Sequence, residues 1–235
     1  MRARDRRIPH GIDDVAAMSA VARWLRSRSL AVEFIFVFIV AWVPNILAAV
    51  AWFAFQPEPV AVDQAAIWNG LFFEAIILAI VLPVLWVRGW TWARLGPTWR
   101  HRDLFVGLGL AVALTVAFQL LDFAFGGGPE PVSIAPHLHP LPVVVFSLVN
   151  AFFEEVLLLG YIVGLAGERR RMVDGIWATV AIRFLCHVYH GTWVAFQGAA
   201  MGAAFGYTFA RTRRLWPLII AHAAYDAAVL LGWVG

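Results

Sequence analysis

Apolar residues run along this chain in seven long blocks, roughly Leu30–Phe55, Ala66–Val87, Leu104–Phe125, Leu141–Ala166, Gly175–Tyr189, Trp193–Ala210 and Leu215–Trp233. Polar residues inside the blocks are sparse and do not alternate with apolar ones, so the pattern is not that of barrel strands. Blocks of about 20 apolar residues match the length of a membrane-crossing helix. The pattern predicts an all-α fold, a polytopic membrane helix bundle with about seven transmembrane helices. The fifth block is the shortest. Pro44 and Asn45 inside the first predict a kink. The Gly- and Pro-rich stretch 126–140 predicts an outer loop. Trp90, Trp92 and Trp99, set among arginines over 88–103, predict a segment lying at the headgroup level.

Charge fixes the direction of the path. Arginine is dense before the first block (Arg2, Arg4, Arg6, Arg7, Arg23, Arg26, Arg28) and absent from "QPEPVAVDQ". It returns at Arg88, Arg94, Arg100 and Arg102, is missing from "GGGPEPVSIAPHLHP", and returns at Arg169, Arg170 and Arg171. It is missing again from "HGT", returns at Arg211, Arg213 and Arg214, and is absent from the C-terminus. Strict alternation over seven blocks places the N-terminus in the cytoplasm and the C-terminus outside. The expected organisation is a basic cytoplasmic segment over 1–29, three peripheral helices over 30–140 and a four-helix core over 141–235. The basic start reads as a topology signal touching anionic lipid, with no role in binding nucleic acid.

Composition agrees: 62% of the residues are hydrophobic and 14% charged, with a mean hydropathy of +0.76. A soluble domain carries about 25% charged residues. Length leaves no room for a soluble domain beside the membrane part. The lone Cys186 excludes an internal disulfide. All 18 cationic side chains are arginine, the mark of a GC-rich genome, which points to a bacterial plasma membrane. The first apolar block is too long for the core of a signal peptide.

Ionisable groups inside a spanning helix cost about 3 kcal/mol or more each, so they are candidates for function. They are Glu33, Glu74, Glu154, Glu155, Arg183, His187, His222 and Asp226, and six of these eight fall in blocks four, five and seven. Counted from the cytoplasmic ends, Glu155, His187, His222 and Asp226 lie roughly 10–18 Å deep, one layer of the bilayer. His222 and Asp226 share a helix face at i, i+4, as do Arg183 and His187. Adjacent Glu154 and Glu155 point about 100° apart, so they are free to do different work. Such a layer suits hydrolysis by a carboxylate-activated water, metal binding or proton transport. The bland alternative is a self-neutralising cluster that fixes helix packing.

The motifs "EEVLLLGY" (154–161), "RFLCH" (183–187) and "HAAYD" (222–226), in this order on successive helices, resemble the CAAX-protease and bacteriocin-processing family of intramembrane glutamate proteases, also called abortive-infection proteins. The resemblance covers about 141–233. It implies that Glu154 activates the attacking water, His187 holds that water, His222 and Asp226 stabilise the oxyanion, and Glu155 supports the site. The implied substrate is a membrane-associated peptide or protein. Zinc is compatible with the family but not required by this mechanism; ligands for it would be His187, His222, Asp226 and Glu154. A prenylated substrate fits a bacterial source poorly.

Two positions depart from the family pattern. Leu159 stands where EExxxR has arginine, and Arg183 where FxxxH has phenylalanine. Unpaired charge at this depth is expensive, so Arg183 is expected to pair with Glu155 in place of the missing arginine. An ionised Asp226 would repel an oxyanion, which leaves it the neutral acid, an orienter of His222 or a metal ligand. Among neighbours, Asn150 shares a face with Glu154 and is a candidate to bond it. Tyr161 is a candidate for site contact or for packing. His190 is a second ligand, an entrance residue or an ordinary interface histidine. Glu33 is expected to reach headgroups; Glu74 has no assigned role. Gly198, Gly202 and Gly206 form one small-residue face, read as close packing within the bundle ahead of a homodimer contact. The function read from the chain is an intramembrane endopeptidase. The alternatives are an inactive member acting as scaffold or immunity factor, and, less favoured, a proton-coupled transporter; HExxH, GxSG and GxGD signatures are absent.

Overall fold

The computed structural model describes residues 20–55, 60–96, 98–126 and 132–233. The arginines of "RARDRR" lie outside them. Each of the seven predicted blocks is helical. The chain runs through α1 (Ala20–Ser27), α2 (Leu30–Ala41), α3 (Val43–Phe55), α4 (Gln64–Val87), α5 (Trp92–Leu95), α6 (Arg102–Phe125), α7 (Pro140–Glu154), a π-helix (Glu155–Val163), α8 (Gly164–Glu168), α9 (Met172–His187), a 3-10 turn (Val188–His190), α10 (Thr192–Thr212) and α11 (Trp216–Leu230). Among the described residues, four helical stretches are long and apolar enough to cross a membrane: Gln64–Val87, Arg102–Phe125, Pro140–Glu168 and Met172–His190. The pair α2 and α3 makes a fifth if it is one span bent by 44°. The predicted kink is this bend. Pro44 has no N–H to offer Val40, and the Asn45 side chain donates to the carbonyl of Ala41 at 3.3 Å. Side-chain oxygens cap the starts of three helices: Ser29 accepts from Val32 N, Asp63 from Ala66 N at 2.8 Å, and Thr91 from Arg94 N at 3.3 Å.

A small departure from all-helical structure has a large consequence for position. Strands β1 (Val60–Val62) and β2 (Val132–Ile134) pair in parallel, Ala61 opposite Ser133. β1 feeds α4 and β2 leads to α7, so the two helices start side by side and run in the same direction. The backbone N–H of His139 donates to Gln64 Oε1 at 2.9 Å and pins the two starts together. The predicted outer loop therefore carries a strand.

The interior is apolar with a few buried polar groups, and the outer surface is apolar as well, as expected of a bundle bathed in lipid. Phe72, Ile76 and Ile80 on α4 and Phe105, Val112, Leu120 and Phe123 on α6 are exposed. The π-helix is the centre of the molecule, with all nine of its residues buried. It packs against α5, α9 and α10, and the carbonyl of Leu95 comes so near that a Cβ on Gly160 would sit 2.7 Å from it.

Described members of the arginine-bearing connections gather at one end. Arg88 pairs with Glu33 at 2.5 Å and donates to the carbonyls of Leu25, Arg26 and Arg28. Arg94 holds Glu168 through two bonds of 2.7 Å, Arg213 donates to the Arg94 carbonyl, and Arg214 pairs with Asp103. At the other end Asp122 of α6 accepts from Trp193 Nε1 at 2.5 Å and Gln197 Nε2 at 2.8 Å. Two expectations change here. Glu33 does not reach headgroups: it is buried, and its second oxygen accepts from Trp90 Nε1 at 2.8 Å. For the same reason Trp90 lies inside, while Trp92 and Trp99 are exposed as predicted.

Candidate active site

Glu154 ends α7 and Glu155 opens the π-helix. Arg183, from the middle of α9, reaches both. Its Nη1 lies 2.5 Å from Glu154 Oε2 and its Nη2 2.5 Å from Glu155 Oε1. The expected pair with Glu155 is present, but the guanidinium spans the two carboxylates instead of serving one. The room for it comes from α10. A Cβ on Gly202 would stand 2.8 Å from Arg183 Cδ, and one on Gly198 would stand 3.4 Å from the His187 ring. The small-residue face thus packs within the bundle, against the site itself.

His222 sits across from the π-helix on α11. Its Nδ1 lies 2.7 Å from Glu155 Oε1. A carboxylate offers only lone pairs, so the imidazole donates. Its Nε2 lies 3.4 Å from Asp226 Oδ2, which also accepts from Asn150 Nδ2 at 2.9 Å. Asn150 therefore bonds Asp226, not Glu154 as its shared face with Glu154 had suggested. His187 Nδ1 lies 2.8 Å from the carbonyl of Arg183. A carbonyl cannot donate, so Nδ1 carries the hydrogen and Nε2 of the neutral ring presents a lone pair. His190 is half-buried, its ring 5.9 Å from that of His187 and 3.8 Å from that of Tyr189. Tyr161 does not bond the site residues. It stacks edge-on to Trp90 at 4.8 Å and donates to Glu33 Oε1 at 3.1 Å.

Exposure divides the cluster into a wall and an edge. The side chains of Glu155 and Arg183 are 0% exposed and that of His222 is 2%, whereas Glu154 is at 10% and Asp226 at 21%. Glu155 has one oxygen taken up by Arg183 and His222. Glu154 gives one oxygen to the guanidinium and keeps the other free of partners among the described residues. Each carboxylate keeps one oxygen without a partner among the described residues, and they differ in enclosure: Glu155 Oε2 is sealed, whereas the largely buried Glu154 side chain keeps a tenth of its surface open, and only a carboxylate that water can touch can take its proton.

Glu154, Glu155 and His222 each offer an atom to a cation, all within 4.8 Å of one another, and His187 and Asp226 do not join this group. The donor types suit a divalent ion. The guanidinium, however, already bonds both carboxylates, so a second cation there would face a fixed positive charge. These residues do not fit a metal while Arg183 is in place.

Residues 136–228 match the family model of Type II CAAX prenyl endopeptidase Rce1-like proteins, consistent with the motif-based recognition of the CAAX-protease family. The match covers less than half of the chain and includes every site residue named above. No curated protein and no solved structure matches.

Proposed function

We propose that this chain, a CAAX-protease relative over its last four helices, is a multi-pass intramembrane endopeptidase that cleaves membrane-associated peptides or proteins with a glutamate-activated water. The observation that supports this most is the unequal state of the adjacent carboxylates: the Glu154 side chain keeps slight exposure and bonds Arg183 alone, whereas Glu155 is fully enclosed and held by both Arg183 and His222. In the proposed reaction Glu154 takes a proton from water while the His187 Nε2 lone pair holds that water's other hydrogen. Water oxygen bonds to the carbonyl carbon. The oxyanion is received by the second amide N–H of Asn150 and by the Nε2–H of a doubly protonated His222, which turns to it from its long 3.4 Å contact with Asp226 while Nδ1–H stays on Glu155; an aspartate that positions these two donors suits the site better than one in direct contact with negative charge. The C–N bond then breaks, and the nitrogen takes the proton back from Glu154 and leaves as the amine.

No metal enters this scheme, because the guanidinium supplies the fixed positive charge. The seven blocks are read as seven spans, with the arginine-bearing end in the cytoplasm. A non-proteolytic member is the second reading, and one observation favours it: one oxygen of the base is already engaged by a guanidinium at 2.5 Å and is not available to a water.

The test is to incubate the purified protein in detergent and oxygen-18 water with a peptide library and a farnesylated CAAX peptide. Expected are new carboxyl ends that carry the heavy isotope, with cleavage undiminished by a chelator. No cleavage of any peptide selects the second reading. An acyl-enzyme trapped by hydroxylamine overturns the water mechanism, and activity lost to chelator and restored by zinc overturns its metal-free form.

A further inference from the structure

Glu74 belongs to α4, outside the stretch 136–228 that matches the family, and the chemistry above does not use it. It is only 7% exposed and carries an oxygen, Oε2, with no partner among the described residues. A buried carboxyl left unbonded costs stability unless something outside the protein engages it. The buried residues of α4 are Ile67, Glu74, Ile77, Val81 and Leu85, so Glu74 stands in the helix's inward stripe and not on its lipid face.

Register places it at the site. α4 and α7 run in the same direction from the β1–β2 pair, and Gln64 is tied to His139. One level further in, Gly70 faces Phe146 so closely that a Cβ would stand 2.7 Å from its ring. Two parallel helices advance together at 3.6 residues per turn, so the same four-residue step from Gly70 and Phe146 brings Glu74 level with Asn150 about one turn on. Glu154 lies one turn beyond that. Glu74 is also within electrostatic range of Glu154 and Asp226. It thus joins the site from the peripheral helices, on the side of Glu154 where Asn150 and Asp226 stand.

We infer that Glu74 is a further catalytic residue, which accepts a hydrogen bond from the nitrogen of the scissile bond. This rests on the endopeptidase reading. The oxyanion is served by N–H donors, and the remaining reacting atom is the nitrogen, whose hydrogen needs an acceptor. Nitrogen takes its proton from Glu154 and carries positive charge until the C–N bond breaks, when the electron pair passes to it and it leaves as the neutral amine. A carboxyl accepting from that nitrogen binds it more strongly in the transition state than in the substrate, so its contribution appears in kcat and not in KM.

An ester has no such N–H, and this gives the test. The library member cleaved best by the wild type is remade with an ester at the scissile position, and both versions are offered to wild type and Glu74→Gln. Expected is a fall in kcat of about tenfold or more for the amide, the effect of one hydrogen bond to a charged group, with KM and ester cleavage unchanged. Equal losses on amide and ester, or no loss on either, overturn the proposal. Glu74→Leu provides a reading that needs no turnover. Removal of an unbonded buried carboxyl is expected to leave the thermal unfolding midpoint in detergent unchanged or raised, and a lowered midpoint marks a structural carboxyl and overturns the inference. A wild type that cleaves neither version, or a Glu154→Gln as active as wild type, defeats the endopeptidase reading itself, and the unfolding comparison still decides the role of Glu74.

Discussion

Arg183 shares one guanidinium between two adjacent carboxylates, which is the cheapest way to keep two glutamates ionised in an apolar centre. Without it Glu154 and Glu155 face each other uncompensated, and breaking such a buried set costs about 3–5 kcal/mol. Arg183→Leu is therefore expected to lower the unfolding midpoint sharply and to abolish cleavage. Leu159→Arg, which returns a cation to the helix that carries both glutamates, is expected to restore part of each; a double variant no better than the single one contradicts the compensation. The residue types of the site were legible in the sequence because charge is so rare in these blocks. The partners were less so. Asn150 lies one turn from Glu154 on its own helix and bonds Asp226 on another, and the sequence shows only the first neighbour. Tyr161 and Glu33 are separated by 128 positions, and nothing in either block announces their bond.

The elements were legible where exposure is one-sided or charge marks an end, and illegible where burial is complete. The π-helix shows why: all nine residues from Glu155 to Val163 are buried, so no polar face exists from which to read a period. Such segments are rare and frequently mark functional sites, and this one carries Glu155 of the candidate site. Its surroundings are fitted closely. Gly202 on α10 clears the path of Arg183, and Gly202→Ala is expected to displace the guanidinium, cost about 1–3 kcal/mol as overpacking does, and depress cleavage more than that loss of stability explains. Unfolding curves and turnover measured on the same preparation check it; unchanged activity would show that Arg183 tolerates the shift. On the opposite side, Tyr161 fastens the π-helix to Glu33 and Trp90. Tyr161→Phe leaves the ring in place and removes one hydrogen bond, for an expected destabilisation of about 0.5–1.5 kcal/mol, read by thermal unfolding, with the amide-to-ester preference unchanged.

At the scale of the whole molecule, the alternation of arginine along the chain becomes a two-ended object. Arg88, Arg94, Arg213 and Arg214 meet at one end, and the β1–β2 pair and the Asp122 bonds form the other. The short parallel pair was illegible because β1 and β2 are three residues each and lie about 70 positions apart. The orientation proposed from the positive-inside rule is open to direct labelling. With Cys186 replaced by serine, a cysteine at Trp233 is expected to react with an impermeant maleimide on intact cells, and one at Arg170 only after lysis. The reverse pattern inverts the topology.

The proposed mechanism rests on one division of labour, in which Glu154 at the slightly exposed edge performs the chemistry and Glu155 in the sealed wall holds Arg183 and His222. Turnover and thermal unfolding of Glu154→Gln and Glu155→Gln, measured side by side in detergent, test it most directly. The account predicts that Glu154→Gln loses cleavage while keeping a midpoint close to wild type, and that Glu155→Gln melts well below it. Cleavage retained by Glu154→Gln, or a larger loss of stability there than at Glu155, would contradict it.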